Sequence, residues 1–156
     1  MSDDSVVIGG SGGSSELRLS EREGLSLTPV WKAYFRVSLQ TTDMAGTYMK
    51  VSASTKVLTH GPDGELTRFF DGMAADRGRW EGEKRWESVG GVLTLRSKLL
   101  TYYEVAGQGE EAGVVMEAEL QFPGCWWVKA GFTLGLGELE GLAARVRRFF
   151  SAMAAT

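Results

Sequence analysis

Apolar and polar residues alternate along five stretches of the chain, near residues 31–40, 48–58, 92–105, 114–122 and 126–136. In the first stretch, Phe35, Val37 and Leu39 fall on one side and alternate with polar or charged residues. A period of two predicts β-strands with one face on a core and the other in water. Two further short strands are predicted on either side of the Gly/Ser-rich turn near residues 9–14.

Two other segments have apolar residues at helical spacing, and they resemble each other. Each begins with Gly-Glu-Leu and ends with Arg-Phe-Phe-x-x-Met-Ala-Ala, at residues 68–75 and 148–155. The second segment is seven residues longer between these marks, so its apolar stripe still faces the same way. The repeat therefore predicts two helices that dock their ends in similar ways, through Phe69, Phe70, Phe149 and Phe150.

Each predicted helix follows a run of alternating strands. We therefore predict an α+β fold, with a single antiparallel β-sheet of about six to seven strands and both helices packed on one face. The chain forms a single domain over residues 1–156, with these parts: a partly flexible Gly/Ser-rich N-terminus (1–15), a first half (16–76), a connector rich in Trp and charge (77–91) and a second half (92–155). Two explanations of the repeat stay open, namely duplication of a β-meander-plus-helix half and coincident packing demands.

Composition and charge narrow the class of protein. Apolar residues make up 43% and charged residues 24% of the 156 positions, which is ordinary for a globular domain. The net charge of −3 offers no general attraction to nucleic acid or anionic lipid, so neither is an expected partner. One cysteine, an acidic N-terminus and the lack of a long apolar run together predict a cytoplasmic protein.

Catalytic chemistry has few candidates in this sequence. His60 is the single histidine and Cys125 lies far from it, so we expect no metal, no cofactor and no Cys–His pair, and we expect both residues to be dispensable. Glu117 and Glu119 could act as an acid/base pair. We favour a cross-strand charge ladder, in which Glu119 lies opposite Lys129 with Lys98 on its other flank.

Candidate binding residues fall in two regions. Trp80 and Trp86 could be binding anchors, because Trp is common at interface hot spots, or their rings could cap the sheet or a helix. Separately, closing the link after residue 40 around Asp43 would put Arg36 opposite Lys50. The remaining members of this basic patch with aromatic rings are Tyr34, Tyr48, Lys32 and Lys56. Such a patch suits an acidic protein partner.

The segment FFDGMAADRGRWEGEKRWESVGGVLTLRSK (residues 69–98), with the later WWVKAGFTL and GELEGLA, resembles a bacterial family, domain of unknown function 6228. The matching positions are Arg79, Trp80, Gly82, Trp86, Ser88, Gly137, Glu138 and Leu139. The resemblance covers most of the chain after residue 15 and departs at residues 40–49 and 99–113. It implies a helix, then the Trp motif, a strand and a closing Gly-Glu-Leu helix, and it brings no activity or catalytic residues.

These observations lead to competing hypotheses about function. We expect a non-enzymatic protein-binding domain, a bacterial immunity or toxin-neutralising protein by analogy with small bacterial proteins of this size, whose partner would be an acidic toxin or effector. The alternative is a small-molecule-binding protein or hydrolase with a pocket between sheet and helices, using Glu117, Glu119 or Tyr103. A third possibility is a homodimer that uses its exposed sheet face as its own interface.

Overall fold

The computed structural model describes residues 5–9, 15–27, 30–42, 50–60, 65–76, 80–105, 109–122 and 126–154. Four strands precede the first helix: β1 (Val6–Gly9), β2 (Ser15–Leu27), β3 (Val30–Thr42), β4 (Lys50–His60) and then α1 (Leu66–Asp76). Four strands precede the second: β5 (Glu83–Glu87), β6 (Leu93–Val105), β7 (Gly109–Phe122), β8 (Trp126–Gly135) and then α2 (Leu139–Ala154). Short 3-10 helices at Val89–Gly91 and Leu136–Glu138 complete the described elements.

The strands form two antiparallel sheets, each with its strands in sequence order. We call β1 to β4 the first sheet and β5 to β8 the second sheet. The α+β class with two helices is confirmed, but the prediction of a single sheet is wrong. Alternation along a strand defines which face is buried, and it carries no information about which strands are neighbours. Here α1 intervenes after β4, and β5 pairs with β6 instead of extending the first sheet.

One hydrophobic core joins both sheets and both helices. The first sheet contributes its inward positions, which include Leu17, Leu19, Phe35, Val37 and Leu39. The second sheet contributes Trp86, Leu93, Leu95, Val114, Met116, Ala118, Leu120, Ala130, Phe132 and Leu134. The alternation predicted from the sequence thus identifies the inner faces of the strands correctly. Residues of both sheets and both helices bury one another in this core.

Each helix contacts the sheet of the other half of the chain. The Phe35 ring of β3 meets the rings of Phe149 and Phe150 edge to face, with centroids 6.2 and 5.6 Å apart. At the end of α1, Asp76 forms an ion pair of 2.7 Å with Lys84 of β5. The helices also pack on each other. The sequence of meander and helix, twice over, is confirmed, whereas the packing of both helices on one face of a single sheet is not.

The two sheets approach each other closely where β1 meets β8. Gly9, at the end of β1, has a φ of +81°, a left-handed conformation that favours glycine. A Cβ atom built there would lie 2.6 Å from Cδ1 of Phe132 and 2.7 Å from the carbonyl oxygen of Ser15. Only a residue without a side chain fits this contact between the halves.

The β3–β4 hairpin has a different register from the predicted one. Arg36 lies opposite Lys56, and Lys50 lies opposite Thr42, so the prediction that Arg36 faces Lys50 is wrong. The two registers differ by an even number of residues, and an even shift keeps every apolar side chain on the same face. The hydrophobic pattern therefore could not distinguish them. Residues 43–49, with Tyr48 among them, lie outside the described residues.

Within the described part of the chain, neither helix has the length and apolar character required to cross a membrane.

Candidate functional site

The outer face of the first sheet carries a row of polar residues centred on Arg36. In this row, Ser20 of β2 and Lys56 of β4 lie directly opposite Arg36 on its two sides. The next row toward the hairpin end consists of Arg18, Ser38 and Ser54, and the one after it of Glu16, Gln40 and Ser52. We call the Ser20–Arg36–Lys56 row, with Glu21, the Arg36 surface.

A β-bulge in β2 places a carboxylate beside Arg36. The register of β2 against β3 shifts between Ser20 and Glu23, and Glu21 within the bulge has a φ of 48°. A bulge re-aims a side chain that the regular pleat would direct elsewhere. Here Nε of Arg36 donates a hydrogen bond of 2.5 Å to Oε2 of Glu21. The Arg36 side chain is 37% exposed and that of Glu21 is 66% exposed, so both can be reached from solvent.

This ion pair corrects an assumption made from the sequence. The predicted patch consisted of basic and aromatic residues, whereas in the structure Glu21 places a carboxylate beside Arg36. The structure brings Arg36 and Lys56 together and places Tyr34 in the neighbouring row, opposite Leu58. Lys50 lies apart from them near the hairpin end, opposite Thr42. No sequence signal identified the bulge, because Glu21 and Arg22 continue a polar stretch without a glycine.

The two tryptophans singled out from the sequence lie against the core. Trp86 is 6% exposed, on the inner side of β5 and opposite Leu95. Trp80 is half-buried, and among the described residues its buried indole N–H has no hydrogen-bond partner. Nζ of Lys84 lies 5.3 Å from the centroid of the Trp80 ring. These positions favour the structural interpretation, in which both rings pack a strand and a helix end against the core.

An open cavity of about 540 Å³ lies between the two helices. Its lining residues are Asp71, Ala74, Ala75, Glu140, Ala143 and Arg147. Nη2 of Arg147 and Oδ1 of Asp71 form an ion pair of 2.5 Å that links α1 to α2. The predicted pocket was to lie between sheet and helices and to use Glu117 or Glu119, and neither residue lines this cavity.

Glu117 and Glu119 lie on the outer face of β7, whereas Met116 and Ala118 on the same strand face the core. Oε1 of Glu117 is 3.2 Å from Nζ of Lys129 and 3.7 Å from Nη1 of Arg96. A charge ladder is therefore present on this face, but it is centred on Glu117 and not, as predicted, on Glu119. The predicted register, with Glu119 opposite Lys129 across the β7–β8 hairpin, is confirmed. The ammonium group of Lys129 nevertheless forms its ion pair with Glu117.

The other flank of Glu119 was predicted wrongly. Thr94 lies opposite Glu119 on β6, and Lys98 lies opposite Val115. The main cause is that the β6–β7 hairpin closes over fewer residues than predicted, with Val105 opposite Gly109, and the irregularity between Leu100 and Tyr103 shifts the register by one further residue. Tyr103 lies beyond this irregularity, opposite Glu111.

Sequence reasoning missed one exposed aromatic residue. Trp127 is 64% exposed on the outer side of β8, and Val128, the next residue, packs against the core. The signal was present in the sequence, because successive side chains in a strand point to opposite faces. If Trp126 is placed inward, then Trp127 must point outward.

Metal ligation has no cluster to support it in the part of the chain that the structure describes, where no three His, Cys, Asp or Glu residues come together. His60 ends β4 opposite Lys32, and Cys125 lies outside the described residues. Their predicted dispensability stays a prediction.

The fold and surfaces together define an α+β protein of two four-stranded meanders, each followed by a helix that packs on the other half. Residues 11–153 match the family described as "Family of unknown function (DUF6228)", and the chain belongs to that family. The resemblance stated from the Trp motif is thereby confirmed. No curated protein and no solved structure matches the chain significantly.

Proposed function

We propose that this protein is a non-enzymatic protein-binding domain that uses the Arg36 surface to bind an acidic segment of a partner. The observation that carries the proposal is the placement of Arg36 directly opposite Lys56 on the outer face of the first sheet. Like charges directly opposite each other on a strand pair destabilise the pair. Glu21 offsets part of this repulsion, and the row keeps a net positive charge to which an acidic segment can bind.

The bulge at Glu21 fits this role. Glu21 neutralises one positive charge in a row that contains two, and it does so from an exposed position. An acidic segment could therefore approach Arg36 without first breaking a buried ion pair. Complementary charges at an exposed surface act mainly on the association rate and on specificity, and salt screens them.

One candidate of the competing enzymatic interpretation, Glu117, is already engaged in ion pairs in this geometry. Glu117 is held between Lys129 and Arg96 on an outer sheet face, an arrangement typical of a charge ladder. A general acid or base needs instead a position within reach of a bound substrate. We therefore favour binding over catalysis.

The specific role that we propose is that of a bacterial immunity or toxin-neutralising protein acting in the cytoplasm. The support is the small size of the chain and an accessible charged face on a sheet backed by a single core. A protein of this kind acts by covering the partner's surface, and it needs no chemistry of its own.

The test starts from photo-crosslinking in the native host, with benzoylphenylalanine in place of Ser38, which lies in the row next to Arg36. The captured protein is identified by mass spectrometry, purified and titrated by calorimetry. We expect Arg36→Glu to weaken binding at least about tenfold at low salt, and less at high salt, because the contact is electrostatic. Co-expression of the captured protein should arrest growth unless this protein is also present.

The matched control is Arg145→Glu, a charge reversal at an exposed position of α2. Its affinity should stay within about twofold of the wild type. Arg145→Glu changes the net charge of the protein by the same amount as Arg36→Glu, but it leaves the Arg36 surface intact. Equal weakening by both reversals would show a non-specific charge effect and contradict the proposal. A captured protein that binds equally well at all salt concentrations would contradict it too.

A further inference from the structure

Trp127 is the most exposed large apolar residue of the second sheet among those the structure describes. It lies on the outer face of β8, opposite Gln121 of β7. An indole in water leaves a large apolar surface that a binding partner can bury, with a gain in free energy. An exposed ring also presents the electron-rich face that attracts cations.

Glu119 provides a negative charge beside this ring. It lies opposite Lys129, which follows Trp127 by two residues on the same face, so Glu119 is the diagonal neighbour of Trp127. Diagonal neighbours across an antiparallel pair have side chains roughly 7–8 Å apart, which is within reach of a long side chain placed between them. The tryptophan and the carboxylate thus flank one space on the outer face.

The carboxylate of Glu119 differs from the other outer-face carboxylates of this sheet. Glu117 pairs with Lys129 and Arg96, Glu83 lies within 4 Å of two cations, and Glu87 pairs with Arg85 at 2.9 Å. Glu119 is half-buried, and within the described residues its carboxylate has no ion-pair or hydrogen-bond partner. A partly desolvated carboxylate without a counter-ion is less stable than a paired one.

We propose that Trp127 and Glu119 form a binding site for an arginine or lysine side chain on a basic segment of a partner protein. The cation would stack on the indole of Trp127 and form an ion pair with Glu119. Arginine suits the site better than lysine, because its planar guanidinium can stack on a ring and donate two hydrogen bonds to one carboxylate.

The charged neighbours allow this arrangement. Lys129 lies directly opposite Glu119, but its ammonium group is 3.2 Å from Glu117, so that charge is already balanced. Gln121 offers an amide oxygen next to the ring. Thr94, on the other side of Glu119, is neutral and nearly buried. The site lies on the second sheet, so its test does not depend on whether the Arg36 surface of the first sheet binds a partner.

The experiment titrates the ¹⁵N-labelled protein with a hexa-arginine peptide and follows the indole N–H signal of Trp127, assigned from a Trp127→Phe variant. We expect saturable shifts that weaken as salt is added. Trp127→Leu keeps an apolar side chain but loses the aromatic face, and should weaken the affinity at least about fivefold. Because this variant lacks the indole signal, its affinity is compared with the wild type through the backbone amide signals of Glu119 and Gln121. Glu119→Gln removes the charge at nearly constant size and should weaken it by a similar factor.

The matched control is Glu138→Gln, which removes one exposed acid ahead of α2. It should leave the affinity within about twofold, and hexa-lysine should bind more weakly than hexa-arginine. Three results would overturn the proposal: equal weakening by Glu138→Gln and Glu119→Gln, binding of hexa-glutamate at the same signal, or self-association in sedimentation that Trp127→Leu abolishes. The last result would assign the ring to a second copy of the chain.

Discussion

The two helices end in nearly the same octapeptide but are embedded differently. In α2, Phe149 and Phe150 are both buried, and each ring meets Phe35 of the first sheet edge to face. In α1, Phe70 is buried, whereas Phe69 is half-buried and its described ring contact is with Phe70, at 5.3 Å. Equal sequence thus leads to unequal burial, because the surroundings of each helix end decide how much of it is covered.

The difference shows that the halves do not form two separate units. The helix of the second half covers the sheet of the first, while the helix of the first half is tied to β5 of the second through Asp76 and Lys84. In repeat proteins a single unit cannot bury its apolar face alone, and neighbouring units bury it together. Here each half lacks part of its own cover, so each depends on the other for stability.

The largest expected effect comes from comparing Phe149 in α2 with Phe69 in α1, which are the first phenylalanines of the two repeated octapeptides. Phe149→Ala should lower the free energy of unfolding by about 3–5 kcal/mol, since it leaves a cavity against Phe35. Phe69→Ala should lower it by only about 1–2 kcal/mol, because that ring already contacts water in the folded state. Urea unfolding followed by circular dichroism measures both.

Equal losses for the two variants would mean that the helix ends are equivalent, and the comparison would fail. Phe149→Leu serves as the control, since it keeps most of the apolar volume and should cost less than the alanine variant. An unchanged slope of the free energy against urea is needed for each variant, so that the differences report stability.

Deducing the fold from the sequence succeeded where a periodic pattern was sufficient. The alternation around Phe35 and the helical spacing of Leu139, Leu142 and Val146 correctly indicated element type and buried face. The number of sheets was not predictable, because strand pairing between distant segments depends on packing that no local pattern encodes. Register failed for a related reason, since an even shift of β4 keeps Val57 on the core side.

A second comparison contrasts a contact between the halves with a turn inside one half. Gly9→Ala should destabilise the protein by about 2–4 kcal/mol, of which roughly 1–2 come from the left-handed backbone and the rest from the collision with Phe132. Gly82→Ala should cost only about 1–2 kcal/mol, because Gly82 has a similar φ of +74° but nothing within 4 Å of a Cβ atom there. Thermal melting monitored at two wavelengths provides the measurement.

If Gly9→Ala and Gly82→Ala have the same melting temperature, the close contact between β1 and β8 does not add to the stability of the packing between the two halves. Shortening the opposing side chain in a Gly9→Ala, Phe132→Leu double variant adds a further check. It should recover part of the loss seen in Gly9→Ala if the collision with the ring is its source.

The smallest expected effect concerns the ion pair between the helices. Nη2 of Arg147 and Oδ1 of Asp71 are 2.5 Å apart, and the side chain of Arg147 is largely exposed. A double-mutant cycle with Asp71→Ala and Arg147→Ala should give a coupling energy of about 0.2–1 kcal/mol, decreasing with added salt. A coupling well above that range would show that charge, and not the shared core, holds the two helices together.

The candidate sites were less accessible to sequence reasoning than the fold. Arg36 was recognised as a candidate, but its counter-ion comes from a bulge whose residues carry no turn signal. Trp127 could have been found by applying strand alternation to the Trp126–Trp127 pair. Trp86 attracted attention as a distinctive residue in a charged segment, although its place on the inner side of β5 gives it a packing role.

The contact of Phe35 with Phe149 and Phe150 also sets an order of events during synthesis. The strand that carries Phe35 leaves the ribosome long before the helix that covers it. Until α2 has been synthesised, it cannot cover the inner face of the first sheet, and an exposed apolar sheet face is prone to aggregation. Contacts between residues so far apart along the chain also slow folding, because the intervening loop must be closed before they form. The nascent first half is thus the stage at which this chain has the greatest need of a chaperone.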